Sequence, residues 1–482
     1  MTMKKTYINN LITFFFLIIP SFFITSYSSV VNAYSGDIPN DSWIFRYMGM
    51  LIDKGGVPYK DAFEQKGPFL FLLEYLGLKI HREYGIWIIE LLSMTFFLYF
   101  TYILCVRFTN RLQAIICSVF SASSISIFFY GNNCEEFALP FIALSIYIFT
   151  LYFLFNEQKA LNIAICGMCC GLVFLLRPNM VSLWLVMTPA VIIRFIIRYK
   201  KYPVKLTLLF TLGFISAVQP IALWLLYKGG LYSFIEQYFI FNFQYTEDGY
   251  TTLKQLSLMY SFFRDSLMII PVAVLIISAH NKKYRYYSIV FLLYIFTSLI
   301  MCTVSVRGYL HYGMPLVTVH AYPLALLTAA FNGIKKKNTM IIPYFIYAAY
   351  AFTLIAFSIG NISTFIKTIN EYEKTEHEKR LLDTINELTD ENEPILVLGA
   401  GADIYYKSDR LSSSKYFIQV PIYDVNSFLK EDIKNDINSS LPGLLIDRLR
   451  RDDEENEYGS LFDHYDDYEL TDPINGLYIL KE

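Results

Sequence analysis

The sequence has little charge. Charged residues make up 17% of its 482 residues, against roughly 25% in soluble domains, whereas 55% are apolar and 17% are aromatic. The net charge is −2, and lysine and arginine are scattered through short segments between apolar runs, so they form no basic face for nucleic acid. The composition therefore excludes an ordinary soluble domain and a nucleic-acid-binding protein, and it indicates an integral membrane protein.

Cysteines and cofactor motifs are also scarce. Nearly all of the seven cysteines lie in apolar runs, where a thiol behaves as a small apolar group, so no disulfide framework is predicted. The cluster CGMCC at 166–170 has no histidine nearby, and we expect it to pack inside a span rather than hold a metal. The stretch GAGAD at 399–403 lacks the third glycine of a dinucleotide-binding fingerprint, so we interpret it as a turn after a strand.

Long apolar runs are what the sequence does have. About eleven of them can cross roughly 30 Å of hydrocarbon, and they predict an all-α polytopic membrane domain over residues 1–361, with 32–84 as its first external loop. The first run also resembles a cleavable signal peptide, but we expect it to stay as an anchor. The runs lie at about 9–31, 85–106, 112–130, 137–156, 160–176, 180–199, 206–227, 266–279, 286–303, 314–333 and 340–360.

The charge pattern predicts how the spans are oriented. Short cytoplasmic loops hold the excess of lysine and arginine, and a cytoplasmic amino terminus places every basic cluster on that side: Lys4 and Lys5, Arg107 and Arg111, Lys159, residues 194–205, 281–285 and 335–337. The opposite, external side then receives the polar loop 38–68, GNNCEE at 131–136, RPN at 177–179, the loop 228–262, VRGYLHYG at 306–313 and the carboxyl-terminal tail. The unusual polar residues therefore share the external face.

The tail, residues 362–482, differs from the rest in composition. NEYEKTEHEKRLLDTINEL predicts an exposed helix, and PILVLG is a short apolar run between proline and glycine, which is typical of a buried strand. A helix-prone stretch and two more predicted strands, GLLIDR and GLYILKE, follow. We expect a small α/β domain outside the membrane.

The loop 38–68 carries the most suggestive polar residues. Asp41 precedes residues of helical apolar spacing, which predict a helix on the membrane surface. Asp41 can be a plain helix cap, and a solvated loop would explain Asp61, Glu64 and Lys66. However, the loop is rich in glycine, proline and aromatics, so we expect it to fold against the membrane face. Four other external turns also carry polar residues, and together they predict a cavity: Glu135 with Glu136, Arg177 with Asn179, Asn242 with Gln244, and Arg307 with His311 and Tyr312.

Such a cavity suits transfer of a group from a lipid phosphate to a hydroxyl. Cations stabilise the charge that grows on the leaving phosphate, a role for Lys66, Arg307 and Arg177. A carboxylate takes the proton of the attacking hydroxyl, a role for Asp41. Acids in the cavity can orient sugar hydroxyls or hold Mg²⁺ or Mn²⁺, although no dense DxD pattern is present and no metal ligand is assigned. The candidates for orienting the substrate are Asp61, Glu64, Glu135 and Glu136, while Arg46, Asp53, Lys54 and Lys60 are expected to be surface charges.

These motifs resemble a known family. DSWIFRYMGMLIDKGGVPYKDAFEQKGPFL is similar to the first external loop of GT-C polyprenyl-phosphate-dependent glycosyltransferases, the bacterial relatives of protein O-mannosyltransferases and of the lipid A aminoarabinose transferase. An aspartate after the first span, a Gly-x-x-Tyr-x-Asp element and an acid before Lys-x-Pro recur there in this order, and GNNCEEFALP and LLRPN also look like segments of that group. The sequence departs from the pattern at Gln65, where some relatives carry an acid.

The resemblance implies both a fold and an activity. It implies a multi-span helical fold with external surface helices, a polyprenyl-phosphate-linked sugar donor, inverting transfer to a glycan, lipid or protein hydroxyl, Asp41 as the catalytic carboxylate and Lys66 at the donor phosphate. By the same resemblance His311 and Tyr312 would also contact the donor. A lipid-linked sugar flippase or polysaccharide polymerase is the alternative, although it would place ionisable groups deep within spans. A structural or sensory membrane protein needs no aligned Asp41 and Lys66.

Overall fold

The computed structural model describes most of the chain and divides it into two compact units. The membrane unit comprises Met1–Asn32, Ile86–Ile221 and Thr246–Ile369, and the mixed unit comprises Ala33–Gly85, Ala222–Tyr245 and Asn370–Glu482. The described residues are 2–26, 28–32, 41–122, 124–128, 131–242, 251–305, 308–332, 376–420, 422–423, 427–449, 461–473 and 475–481, with single positions at 352, 356, 359, 363 and 366. The predicted domain division at residue 361 stays a prediction.

The membrane unit is helical throughout its described part. Its α-helices are Thr2–Thr25, Ser29–Asn32, Gly85–Cys105, Arg111–Ser121, Ile125–Phe128, Cys134–Phe155, Ala160–Phe174, Ser182–Tyr199, Val204–Tyr227, Thr252–Asp265, Ile269–Ser278, Arg285–Cys302 and Ala321–Asn332, and two 3-10 helices span Pro178–Val181 and Leu310–His320. Gly85 and the last turns of Val204–Tyr227 are assigned to the mixed unit.

Six helical segments within the described residues are long and apolar enough to cross a membrane, or seven if one bent pair counts as a span. The chain is therefore a multi-pass membrane protein. Three further predicted spans correspond to shorter apolar helices, Asn9–Thr25, Arg111–Ser121 and Ala160–Phe174, while the predicted span 340–360 lies almost entirely outside the described residues. The count of eleven stays a prediction.

The bent pair departs from the sequence analysis, which treated 228–262 as a loop. Thr252–Asp265 meets Ile269–Ser278 at 83°. At the break, the ring nitrogen Nε2 of His320 hydrogen-bonds the Ser266 carbonyl oxygen at 2.7 Å. The first of these helices was missed because its mean hydropathy is low and its apolar residues alternate irregularly with Lys254 and Arg264.

Side-chain hydrogen bonds link helices inside the membrane unit. Ser182 and Ser298 hydroxyls lie 2.8 Å apart, and the Thr150 and Tyr287 hydroxyls 2.9 Å apart. Such pairs satisfy polar groups that have no water to bond with in hydrocarbon and add about 0.6 kcal/mol each. They tie Cys134–Phe155 and Ser182–Tyr199 to the same helix, Arg285–Cys302.

The mixed unit combines helices with a sheet. Its helices are Asp41–Asp53, Pro68–Ile80, Leu231–Ile235, Glu376–Leu388, Ala402–Ser408 and Ser427–Ser439, with a π-helix at Glu236–Phe241 and a 3-10 turn at Tyr465–Asp467. The strands are β1 (Leu396–Leu398), β2 (Leu444–Asp447), β3 (Tyr468–Asp472) and β4 (Leu477–Leu480). They pair in the order β1-β2-β4-β3, with β1 parallel to β2 and the other pairs antiparallel.

Three strands were predicted and one was not. β1, β2 and β4 fall on PILVLG, GLLIDR and GLYILKE, whose runs of apolar residues gave a clear signal. β3 has the sequence YELTD and lies at the sheet edge, with only Tyr468 buried. Its pairing with β4 is also irregular between Leu470 and Asp472, so neither alternation nor apolar content marked it.

Asp41–Asp53 packs closely on Pro68–Ile80. A Cβ atom on Gly49 would lie 2.7 Å from the Cβ of Glu74, so only glycine allows this approach. On the same helix Arg46 is 2% exposed and its guanidinium lies 4.8 Å from the Trp43 ring centroid and 5.0 Å from that of Tyr406. The expectation that Arg46 is a surface charge is therefore wrong, because its long side chain is buried among aromatic rings.

Candidate functional site

Asp41 opens the first helix of the mixed unit. It is exposed and lies in the first turn of Asp41–Asp53, where a carboxylate is favoured by the positive end of the helix dipole. The buried face of that helix is fixed by Tyr47, whose ring stacks on Phe417 with centroids 4.1 Å apart. The helix is therefore anchored to the tail by its middle, while Asp41 stays open to solvent.

The loop between the helices Asp41–Asp53 and Pro68–Ile80 is held by internal hydrogen bonds. The Asp61 carboxylate accepts a hydrogen bond from the Val57 amide at 2.7 Å, and Tyr59 takes a left-handed conformation with φ 70°. The Tyr59 side chain is 1% exposed, and its hydroxyl donates to the Lys66 carbonyl oxygen at 2.7 Å. The loop is thereby closed on itself, and Asp61 has a bonding role inside it.

Two residues hold the loop from another part of the chain: Asn242, which the sequence analysis placed in the predicted cavity, and Gln237, which it did not single out. Gln237 donates to the Tyr59 carbonyl oxygen at 2.7 Å and accepts from the Glu64 amide at 3.1 Å. Asn242 donates to the Gln65 carbonyl oxygen at 2.9 Å. No local sequence pattern indicates this role of Gln237, because it lies some 170 residues from the loop and meets it only in the folded chain.

Glu64 forms hydrogen bonds with the backbone of the turn that follows it. Its carboxylate accepts from the amides of Gln65 at 2.9 Å and Lys66 at 3.1 Å. Burial raises the pKa of Glu64 to about 7; the charge of Lys66 opposes this rise, and the charge of Asp41 adds to it. The charges of Asp41 and Lys66 therefore both act on the Glu64 carboxyl group.

In the membrane unit, a second group centres on Arg177. Arg177 forms an ion pair with Glu135, which is 3% exposed, and its guanidinium lies 3.7 Å from the centroid of the Tyr312 ring. The His311 ring packs edge-on against Tyr312 with centroids 4.7 Å apart. This unit thus brings together four residues that the sequence analysis singled out, and it compensates the buried Arg177 cation by a carboxylate and a π face.

Glu136 belongs to a third buried group. Its carboxylate accepts from the amide of Gly131 at 2.8 Å, which has φ +90° and leaves no room for a Cβ beside Ser28. Glu90, which is 1% exposed, accepts from the adjacent amide of Asn132 at 2.9 Å. Sequence reasoning missed Glu90, although an acid within an apolar span is itself a signal of a specific role.

Two residues of the predicted cavity, Gln244 and Arg307, lie outside the described residues. Among the residues that the structure describes, no group of three or more histidine, cysteine, aspartate or glutamate side chains is placed to hold a metal ion. The single cavity that would unite Asp41, Asp61 and Lys66 with Arg307 and His311 stays a prediction.

Comparison with known proteins places this fold. ArnT from Cupriavidus metallidurans bound to undecaprenyl phosphate is similar at a TM-score of 0.60, with 11% identity and coverage of 98% of this chain and 97% of that one. ArnT from the same organism in the apo state gives 0.53, with 10% identity and 93% of each chain. At such identity the likeness shows the fold alone: the chain shares the fold of these two ArnT structures. No curated protein sequence matches the chain.

The chain also matches a family model. Its description is "Putative competence-induced protein Ccs4 N-terminal domain", and it matches residues 3–341. This range is more than half of the chain and includes Asp41, Lys66, Arg177 and Tyr312. The chain therefore belongs to the Ccs4 N-terminal domain family.

Proposed function

We propose that the chain is an inverting glycosyltransferase that moves a sugar from a polyprenyl-phosphate donor to a hydroxyl of a cell-envelope acceptor. The observation that supports this proposal is that the charges of Asp41 and Lys66 both act on the Glu64 carboxyl group, in a chain whose fold is similar to that of ArnT. The similar ArnT structure contains undecaprenyl phosphate, a lipid of the proposed donor class.

The roles follow from charge. Asp41 takes the proton of the acceptor hydroxyl, whose oxygen then bonds to the anomeric carbon of the sugar. The bond from that carbon to the phosphate oxygen breaks, and polyprenyl phosphate leaves with the electron pair. Lys66 stabilises the negative charge that grows on the phosphate. A single in-line displacement inverts the anomeric carbon and requires no covalent intermediate.

The location of the reaction is part of the proposal. We place the amino terminus in the cytoplasm and both the loop with Asp41 and the carboxyl-terminal tail outside, because this orientation puts the basic loops on the cytoplasmic side. Arg177, His311, Tyr312, Glu135 and Glu136 are proposed to face the donor or acceptor from the membrane unit, and Arg307 is proposed to join Lys66 at the phosphate.

The test uses membranes containing the protein and a labelled lipid-linked sugar pool. Asp41→Asn is expected to lower transfer by about 100-fold or more, as loss of a general base does, with unchanged protein level. Asp53→Asn is the matched control: Asp53 lies at the other end of the same helix and pairs with Lys79, so this variant should keep wild-type transfer. Full activity of Asp41→Asn would refute the proposal, as would transport of the lipid-linked sugar across vesicles without transfer.

A further inference from the structure

The backbone that leads into Lys66 is held in one conformation. The Glu64 amide donates to the side chain of Gln237 at 3.1 Å, and the Gln65 carbonyl oxygen accepts from the side chain of Asn242 at 2.9 Å. These bonds restrain the Phe63–Glu64 and Gln65–Lys66 peptide groups. The fold therefore holds the backbone segment that carries the Gln65 side chain.

Glu64 and Gln65 are used differently within this turn. One carboxylate oxygen of Glu64, Oε1, accepts from the amides of both Gln65 and Lys66, so Glu64 is engaged in shaping the turn. The side-chain oxygen Oε1 of Gln65 is buried, yet no donor among the described residues forms a hydrogen bond with it. A buried carbonyl oxygen without a partner costs about 1–3 kcal/mol.

The Gln65 side-chain oxygen is an acceptor, so only a hydrogen-bond donor of a ligand can pair with it. A ligand phosphate at neutral pH offers mainly acceptor oxygens, so it pairs with the Lys66 ammonium group and not with the carbonyl oxygen of Gln65. A sugar hydroxyl is a donor as well as an acceptor, and it suits the Gln65 oxygen. In a sugar attached to the phosphate, the hydroxyls lie next to the group that Lys66 would bind.

We infer that Gln65 recognises a hydroxyl of the donor sugar beside the phosphate bound by Lys66, and that Glu64 is a positioning residue that holds both in place. This inference rests on the proposed glycosyltransferase function and names the part of the donor that the turn recognises. The group that contacts the sugar is then the uncharged Gln65 amide, and a sugar hydroxyl supplies the missing hydrogen bond to its oxygen without adding a charge.

The experiment separates phosphate recognition from sugar recognition. Wild type, Gln65→Leu and Lys66→Ala are placed in nanodiscs, and two quantities are measured: the Kd for undecaprenyl phosphate, and kcat/KM for transfer from lipid-linked sugars extracted from native membranes. Gln65→Leu should keep the Kd within about twofold and lower kcat/KM about tenfold, as expected for one lost hydrogen bond to a buried group. Lys66→Ala should weaken the Kd about tenfold or more.

Two control variants distinguish a specific loss of sugar recognition from misfolding. Lys60→Leu changes an exposed residue of the same loop and should leave both quantities unchanged, and Gln65→Glu keeps an acceptor oxygen and should recover part of the transfer. Wild-type transfer by Gln65→Leu would overturn the inference alone. A loss of undecaprenyl phosphate binding by Gln65→Leu equal to that of Lys66→Ala would also overturn it. Failure of the wild type to transfer any sugar would instead refute the proposed function, and the inference with it.

Discussion

The Tyr59 hydroxyl donates to the carbonyl oxygen of Lys66 at 2.7 Å, so a buried ring seven residues away closes the turn that presents the proposed phosphate-binding lysine. The ring itself packs on Phe71 and Phe234 with centroids 5.7 and 5.2 Å away. The position of the lysine backbone is therefore coupled to an aromatic core.

Removing that hydroxyl tests the coupling. Tyr59→Phe keeps the ring packing and loses one buried hydrogen bond, which should lower the free energy of unfolding by about 1 kcal/mol. Because the turn then loosens, transfer should fall several-fold with protein level maintained. Tyr75→Phe, on the neighbouring helix, is the control. Thermal unfolding in detergent and the transfer assay measure both effects, and equal transfer by the two variants would show that the hydroxyl does not position Lys66.

Substitution of Lys66 tests whether its charge matters. Lys66→Ala should lower transfer by about 100-fold, and Lys66→Arg should recover part of it, since arginine keeps the charge but differs in shape. Lys60→Ala removes an exposed lysine of the same loop and should be neutral. Equal activity of all three variants and the wild type would remove Lys66 from the site.

Glu64 should make stability depend on pH. Burial raises its pKa from 4.5 to about 7, so the folded state binds the proton more tightly than the unfolded state does. The free energy of unfolding should therefore fall as pH rises from about 4.5 to about 7, by at most about 3 kcal/mol. The Glu64→Gln variant lacks this titration. The difference between the two thermal unfolding profiles, measured from pH 4.5 to 8, isolates the effect, and a flat difference would contradict the buried carboxyl.

The buried ion pair of Arg177 with Glu135 should contribute more to the free energy of unfolding than a more exposed pair does. Glu135→Gln leaves the buried Arg177 cation without its carboxylate, and breaking such pairs typically costs about 3–5 kcal/mol. Glu157→Gln breaks the ion pair between Glu157 and Arg107, whose side chains are respectively 33% and 32% exposed. This change should lower the free energy of unfolding by at most about 1 kcal/mol. Denaturation in detergent compares them. Similar losses for both variants would mean that the Tyr312 ring alone compensates Arg177.

Features carried by local pattern could be predicted from the sequence. Apolar length marked the long spans, and proline and glycine bounded the strands at 396–398 and 477–480. Asp41 and Lys66 were singled out because their spacing within one loop resembles a family motif, and their roles stay a prediction. These signals need no knowledge of what packs against them.

Features that depend on distant neighbours could not be predicted. Arg46 has the composition of a surface residue, and only the rings of Trp43 and Tyr406 explain its burial. Gln237 supports the loop through a contact across more than 170 residues. The bend at Ser266 depends on His320, which no window around residue 266 contains.

The mixed unit is assembled from three separate stretches of chain, and this has a consequence during synthesis. The Phe63 amide pairs with the Lys415 carbonyl oxygen at 2.8 Å, so the ribosome must add about 350 residues after the loop before its partner exists. At roughly 5–20 residues per second, the proposed catalytic turn stays incomplete for roughly 20–70 seconds. A nascent chain would therefore be inserted well before it is competent, and its activity would begin only when the last segment is made.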